Sequence, residues 1–351
     1  MTENKEEVMR AAVFEGEGKL VLQEVKKPEI LKEDDIIGEI EVCSICGTDV
    51  HMTSVPPGYP ATPGTILGHE LVAKVVETGT GVTQFKVGDR FVVNPNEYCG
   101  KCNYCKKNLP NECEDIKAMG IDVDGGFAEF VRVSEKMAFK IPEDMPSELA
   151  AFAEPLACAV NASRKIRVNP SESVVIIGAG PIGMIFIQLM KAAGAYPIIS
   201  LEPNPVRREY ALKCGADYAV NPLEVDAQSF VMEKTQIGAD YAIDVVGSQM
   251  MAAINCIRKG GSVLLFGNNA KAAPAVIQSQ ITYKEAKVLG TWLANASFDQ
   301  AVKMLASNTL NLEFLVSHIL PLEKIHEAID LMRRGEGVEV LVDPRMKEQG
   351  I

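Results

Sequence analysis

The chain has 351 residues, 47% of them hydrophobic and 23% charged, and its 35 basic and 47 acidic side chains leave a net charge of −12. That length exceeds one ordinary core and predicts two domains, while the acidic balance offers no basic surface to neutralise phosphates and speaks against nucleic acid as a partner. Residues Met1 to Arg10 are rich in Glu and Lys and lack the apolar core of a signal peptide, so the cytoplasm is the expected location.

From Ala11 to Val42 short apolar runs are broken by Gly, Pro and acidic clusters, which predicts antiparallel strands and turns. Ile66 to Val76 and Lys86 to Val93 continue the pattern, with Gly79, Gly81 and the Gly88-Asp89 turn between and beside them. This is a β-rich first domain. Two short segments within it concentrate chemistry: Cys43 to His51, and Gly68-His69-Glu70. With Glu154 of Ala153-Glu154-Pro155-Leu156, the side chains of Cys46, His69 and Glu70 suit a catalytic metal site, in which three protein ligands leave a fourth position open. The alternative is that the lone Cys and lone His are packed core groups. Cys43, Cys158, Cys214 and Cys256 lie in apolar surroundings and read as core.

Residues 95–118 are polar and cysteine-rich, with too little apolar content to fold on burial alone. Cys99, Cys102, Cys105 and Cys113 form a C-x2-C-x2-C-x7-C run. Four thiolates at this spacing close a tetrahedral Zn²⁺ shell from one loop, and a full shell has a structural role. Free surface thiols and an iron–sulfur cluster are the other readings, but the cluster run has a different final spacing and a proline after its last cysteine. Nine cysteines in a reducing compartment favour metal ligation over disulfides.

Beyond about Asn169 strands alternate with helices, the mark of a parallel sheet with crossover connections. Strands are expected at Val174–Ile177, Pro197–Leu201, Tyr218–Val220, Tyr241–Val246 and Ser262–Phe266, with helices at 181–193, 206–214, 225–234 and 250–258. The uncharged run from Ser173 to Met190 reaches the length of a bilayer span, yet Gly178, Gly180, Pro181 and Gly183 split it into strand, turn and helix, so no membrane partner is expected. Gly178-Ala179-Gly180-Pro181-Ile182-Gly183 follows a strand and opens a helix, the context in which this pattern binds a dinucleotide. The first glycine makes the turn, the second admits a pyrophosphate and the third lets helix pack on strand. Glu202 lies nineteen residues beyond Gly183, where a carboxylate accepts hydrogen bonds from ribose hydroxyls and repels a 2′-phosphate. NAD is therefore favoured over NADP, although Arg207 and Arg208 partly offset that charge. The tail is helical at 298–307 and 322–334 and ends in a strand near Val338 to Val342.

Taken together and in this order, Cys46-Gly47-Thr48-Asp49-Val50-His51, Gly68-His69-Glu70, the four-cysteine run, Glu154-Pro155-Leu156 and the glycine motif resemble the zinc-containing medium-chain alcohol dehydrogenases. Glu154 followed by Pro, where alcohol dehydrogenases proper carry cysteine, resembles the polyol (sorbitol-type) and threonine dehydrogenase branch. Ala73 departs from the family's usual Gly, and a small strand shift is expected there. The resemblance implies a doubly wound parallel-sheet (Rossmann) domain, 161–297, inserted into a β-rich GroES-like catalytic domain, 1–160, to which 298–351 returns. It implies two Zn²⁺ per chain, with Cys46, His69 and Glu154 holding the catalytic ion, Glu70 as an exchanging ligand, and Cys99, Cys102, Cys105 and Cys113 holding the structural one. Asp49 then orients His69, Thr48 takes a proton from the substrate and His51 passes it to solvent; Gly178, Gly180, Pro181, Ile182, Gly183, Glu202 and Arg207 bind NAD. The implied reaction moves a hydride between a secondary alcohol or ketone, of the polyol, sugar-derived or cyclic polyol kind, and NAD. A threonine 3-dehydrogenase-like oxidation is the alternative, and a non-catalytic NAD-binding sensor is the answer from another class. A homotetramer or dimer is implied as well.

Overall fold

A computed structural model describes residues 7–347; the first six residues of the charged start and residues 348–351 lie outside it. Two compact units divide the chain: Met1–Glu154, Phe298–Ala306 and Val316–Ile351 form the first, and Pro155–Ser297 with Ser307–Leu315 the second.

The first unit opens with an antiparallel hairpin, β1 (Val8–Gly16) and β2 (Lys19–Lys26). Next come β3 (Asp35–Ser44), α1 (Gly47–Met52), β4 (Glu70–Thr78) and β5 (Arg90–Val93). The cysteine lobe holds β6 (Asn96–Glu97), α2 (Asn103–Lys106) and β7 (Lys117–Ala118), and β8 (Phe130–Ser134), β9 (Ala138–Lys140) and α3 (Ser147–Ala150) follow. β3 is the organising strand. It pairs with β4 and β8, and all but one of its residues are buried. Its Ile36, Ile37, Ile40 and Val42 suit a strand covered on both faces, and each buries a side chain worth ~1.5–3 kcal/mol against exposure.

Ala73 pairs with Ile40 of β3, and the ladder shifts register between Ile40 and Val42. The Ala73 methyl has room because nearby Gly38 carries no side chain: a Cβ on Gly38 would stand 2.9 Å from that of Ala73 and 2.6 Å from the Phe91 ring. Nearby, Arg90 grips the buried Glu41 from two nitrogens, at 2.6 and 3.0 Å, and donates on to Met145 O at 2.6 Å and Ser147 Oγ at 2.9 Å.

The second unit starts within α4 (Ala153–Ser163) and runs through β10 (Val174–Ile177), α5 (Pro181–Ala192), β11 (Ile198–Leu201), α6 (Pro205–Lys213), β12 (Tyr218–Val220), α7 (Ala227–Thr235), β13 (Ala239–Asp244), α8 (Met250–Cys256), β14 (Ile257–Leu265), α9 (Gln278–Lys284) and β15 (Lys287–Gly290). Its six strands are parallel in the order β12-β11-β10-β13-β14-β15. Counted within the unit this is 3-2-1-4-5-6, the doubly wound order of dinucleotide folds, which reverses between β10 and β13. The run from Ser173 to Met190 resolves into β10, the glycine turn and α5, and no helix among the described residues is long and apolar enough to cross a membrane. α7 starts two residues later than its apolar pattern suggests because the Asp226 side chain accepts the Ser229 N–H at 2.8 Å and caps it.

The chain then completes the first unit with α10 (Phe298–Ala306), β16 (Val316–Pro321), α11 (Ile325–Arg334) and β17 (Glu339–Asp343). β17 pairs antiparallel with β3 and parallel with β16, giving the order β16-β17-β3-β4-β5-β9.

Candidate active site

β3 ends at Ser44, and Cys46, in extended backbone, caps α1. The Asp49 carboxylate turns back to accept the Cys46 N–H at 2.8 Å, which holds it buried against the start of the helix. Across the sheet His69 precedes β4, and Glu70, its first residue, stands opposite Ser44 in the register. Gly68, with a φ of 88°, sets this turn; a Cβ there would meet the Phe127 ring at 2.7 Å.

One ligand atom each from Cys46, His69 and Glu70 lies within 4.8 Å of the others. Glu154, in the first turn of α4, is outside this tight set, but its charge bears on all three. Thr48 is half-buried on α1 and His51, three residues on and so on the same helical face, is exposed.

The electrostatics show what these residues need. Burial pushes the Cys46 thiol well above its usual range, and Glu70 and Asp49 add to the push. Burial raises Asp49 to about 6 in spite of His69, and raises Glu70 to about 7 with Glu154 contributing. His69 is lowered by burial, but the carboxylates of Asp49, Glu70 and Glu154 outweigh that and raise it. No Lys or Arg is among the leading causes of these shifts. A buried set so rich in negative groups is balanced by a cation. Sulfur, imidazole and carboxylate donors match Zn²⁺. Asp49 Oδ1 and His69 Nδ1 are both buried without a hydrogen-bond partner, as expected for an acceptor and ring nitrogen that tighten when the other ring nitrogen is bound.

In the cysteine lobe the four Sγ atoms of Cys99, Cys102, Cys105 and Cys113 lie within 4.8 Å of one another, and all are free thiols. Backbone N–H groups aim at the sulfurs: Cys99 N at Cys113 Sγ, 3.3 Å, Cys102 N at Cys99 Sγ, 3.4 Å, and Cys105 N at Cys102 Sγ, 3.5 Å. Such hydrogen bonds lower Cys99 and bring Cys102 down to about 6, favouring thiolates at those two, while burial and the neighbouring thiols push Cys105 up to about 12. The four remaining cysteines, Cys43, Cys158, Cys214 and Cys256, are buried, as their surroundings suggested.

In the second unit Gly178 has a φ of 98° and Gly183 packs so closely that a Cβ would fall 2.1 Å from Gly178 O. Gly180, by contrast, has nothing within 4 Å of a Cβ position and caps α5, with Pro181 and Ile182 opening the helix. The open face at Gly180 leaves the helix N–H groups free for an anion. Glu202 follows β11 and is buried; it accepts Ala179 N–H at 2.7 Å and Asn204 N–H at 2.8 Å, so it ties the glycine turn to the adjoining strand end. Arg208 donates to the carbonyls of Glu202 and Pro203, whereas Arg207 keeps a buried Nε with no partner.

One pair escaped the sequence reading. Ser44, fully buried, hydrogen-bonds the carboxyl of Glu339 on β17, which is 2% exposed. Burial and the nearby Glu70 push Glu339 up to about 8. A lone acid among Val338, Val340, Leu341 and Val342 was the available signal.

Comparison with known proteins agrees with this geometry. Residues 32–143 match the model of the alcohol dehydrogenase GroES-like domain, and residues 181–307 that of the zinc-binding dehydrogenases. The chain is 35% identical to an L-threonine 3-dehydrogenase of Thermococcus kodakarensis, over 98% of this chain and 99% of that protein. It is 33% identical to a sorbitol dehydrogenase of Halalkalibacterium halodurans, covering 94% of this chain and 97% of the other. Among solved structures it is similar to a zinc-binding dehydrogenase of Sinorhizobium meliloti bound to NADP, with a TM-score of 0.90, 30% identity, and coverage of 96% and 100%.

Proposed function

The chain belongs to the zinc-dependent medium-chain alcohol dehydrogenases, and from that premise we propose its reaction: hydride transfer between a secondary alcohol of the polyol class, or the corresponding ketone, and NAD. The observation that carries it is the buried trio Cys46, His69 and Glu70, joined by the charge of Glu154. Cys46, His69 and Glu154 hold the catalytic Zn²⁺, with Glu70 exchanging as a further ligand; Cys99, Cys102, Cys105 and Cys113 hold the structural one. When bound, the cation acidifies an alcohol hydroxyl and the nicotinamide accepts the hydride. Asp49 fixes the His69 tautomer by accepting its Nδ1–H. Thr48 takes the substrate proton, and exposed His51, one turn along α1, hands it to solvent.

Gly178, Gly180, Pro181, Ile182 and Gly183 cradle the pyrophosphate. Glu202 accepts the ribose hydroxyls and disfavours a 2′-phosphate, while Arg207 flanks the adenosine end. Residues 1–160 and 298–351 are the catalytic domain and 161–297 the cofactor domain. The sheet edge at β15 leaves backbone groups unpaired, and through it the chain pairs into a dimer or tetramer, which sedimentation would check. We assign it to the cytoplasm, in keeping with the free thiols.

Threonine oxidation is the second reading, favoured by the 35% identical relative of that name. Steady-state rates with NAD and NADP on sugar alcohols, cyclic polyols and threonine separate the two. Cys46→Ser abolishes NADH production if the reading is right; undiminished turnover refutes it, and a parent protein inert on the whole panel favours a sensor.

A further inference from the structure

Two buried groups beside the catalytic trio have no part in the reaction just described. Ser44 ends β3 with β4 on one side, where its register partner is Glu70, and β17 on the other, where its partner is Leu341. Glu339 lies two residues before Leu341, on the same face of β17. Its carboxyl meets the Ser44 hydroxyl, and Ser44 and Glu70, directly opposite in the antiparallel register, stand as a cross-strand pair on one face of the sheet. Ser44 is fully buried and Glu339 and Glu70 nearly so.

A serine hydroxyl carries a single proton and can give it to only one acceptor. Satisfying both acids therefore requires one of them to donate to the Ser44 oxygen while Ser44 donates to the other. Whichever way the protons run, what Glu339 offers Ser44 decides what Ser44 can offer Glu70.

We infer that Glu339 is a positioning residue for the catalytic centre: its carboxyl backs Ser44, and Ser44 fixes where the Glu70 carboxylate stands beside Cys46 and His69. The inference rests on the reading of Cys46, His69 and Glu154 as a cation site. Glu339 touches neither substrate nor cofactor, so its effect shows in the cation's surroundings.

The test is titration of the full-length protein with Co²⁺, following both affinity, by chelator competition, and the visible absorption bands that Cys46→Ser removes. Glu339→Gln, whose amide can both accept from and donate to the Ser44 hydroxyl, keeps the parent's affinity and bands. Glu339→Leu weakens Co²⁺ binding on the order of 10-fold and shifts the bands, as loss of a ligand's supporting partner does. Ser44→Ala does the same, and the double variant is no weaker than either single one. Parent-like binding and bands in Glu339→Leu overturn the inference, as does a loss in Glu339→Gln equal to that in Glu339→Leu, or a double variant weakened by the product of the singles. Should Glu339→Leu fail to fold, Ser44→Ala and Glu339→Gln decide between themselves: the first must weaken binding and the second must not. A parent with no Cys46-dependent bands defeats the cation-site reading itself, which separates that failure from this one.

Discussion

Asp49 Oδ1 stands 3.9 Å from His69 Nδ1, and neither atom has another partner. The carboxylate's other oxygen is anchored by the Cys46 N–H, so Asp49 links Cys46 and His69 at once. Asp49→Asn keeps an oxygen for Cys46 but removes the charge that orients the imidazole. Zinc affinity at the catalytic site should fall about 10- to 100-fold, measured by chelator competition. An unchanged affinity would count against the assigned role of Asp49.

The cysteine lobe has few buried apolar side chains of its own, Cys113 being the one buried residue among its four thiols. Cys113→Ser should cost one of the two zinc ions per chain that the two clusters imply and expose the amides of 95–118 to hydrogen exchange. Elemental analysis and exchange mass spectrometry check both. Full protection in the variant would show that the lobe folds without its metal.

The glycine motif separates stability from binding. In Gly183→Ala the new Cβ would stand 2.1 Å from Gly178 O, which forces α5 off β10 and should cost about 1–3 kcal/mol of stability. Gly180→Ala meets open space, so its stability should change by no more than about 1 kcal/mol, while NAD affinity drops because the methyl occupies the pyrophosphate's approach. Thermal melts paired with NADH fluorescence titrations distinguish the two; equal NADH affinity in Gly180→Ala and the parent would contradict the assignment.

Burial pushes the Glu41 carboxyl up, but hydrogen bonds from Arg90 and Ser147 overcome it and hold Glu41 below the usual carboxylate range. A carboxylate lowered on folding contributes stability that is complete above its unfolded pKa, about 4.3, and is lost as the pH falls through the lower folded value. Arg90→Met strands a buried charge and should cost about 3–5 kcal/mol at pH 7, with the deficit shrinking in acid as Glu41 protonates. Urea melts at pH 7 and pH 3.5 measure it, and a deficit independent of pH would place the cost elsewhere.

How legible the molecule was depends on how local each feature is. The four thiols of the lobe and the glycines of the dinucleotide turn are neighbours in the chain, so spacing alone brought them together. Cys46 and His69 meet only through the β3–β4 register, which apolar patterning suggests but does not set. Glu154 belongs to α4, a helix apolar nearly all round with Pro155 in its first turn; the sequence offered it as a member of the metal constellation, and family resemblance supplied its role as a ligand. β15 and β16 went unread because one is a four-residue edge strand and the other is half-buried along most of its length, so neither shows alternation. Glu339 stands out as a lone acid in an apolar run, but its partner was out of reach: Ser44 lies 295 residues away, and no pattern in β17 reports which strand it will join.

That distance also orders events on the ribosome. Synthesis delivers β3, β4, β8 and the whole dinucleotide-binding sheet before β17 exists, so the second unit can close while the Cys43–Ser44 end of β3 still lacks its β17 partner. The acids gathered around Ser44 acquire their last member only when translation reaches position 339. A nascent chain stalled short of that point would carry Cys46 and His69 with a sheet edge still open, the state most exposed to wrong strand pairing.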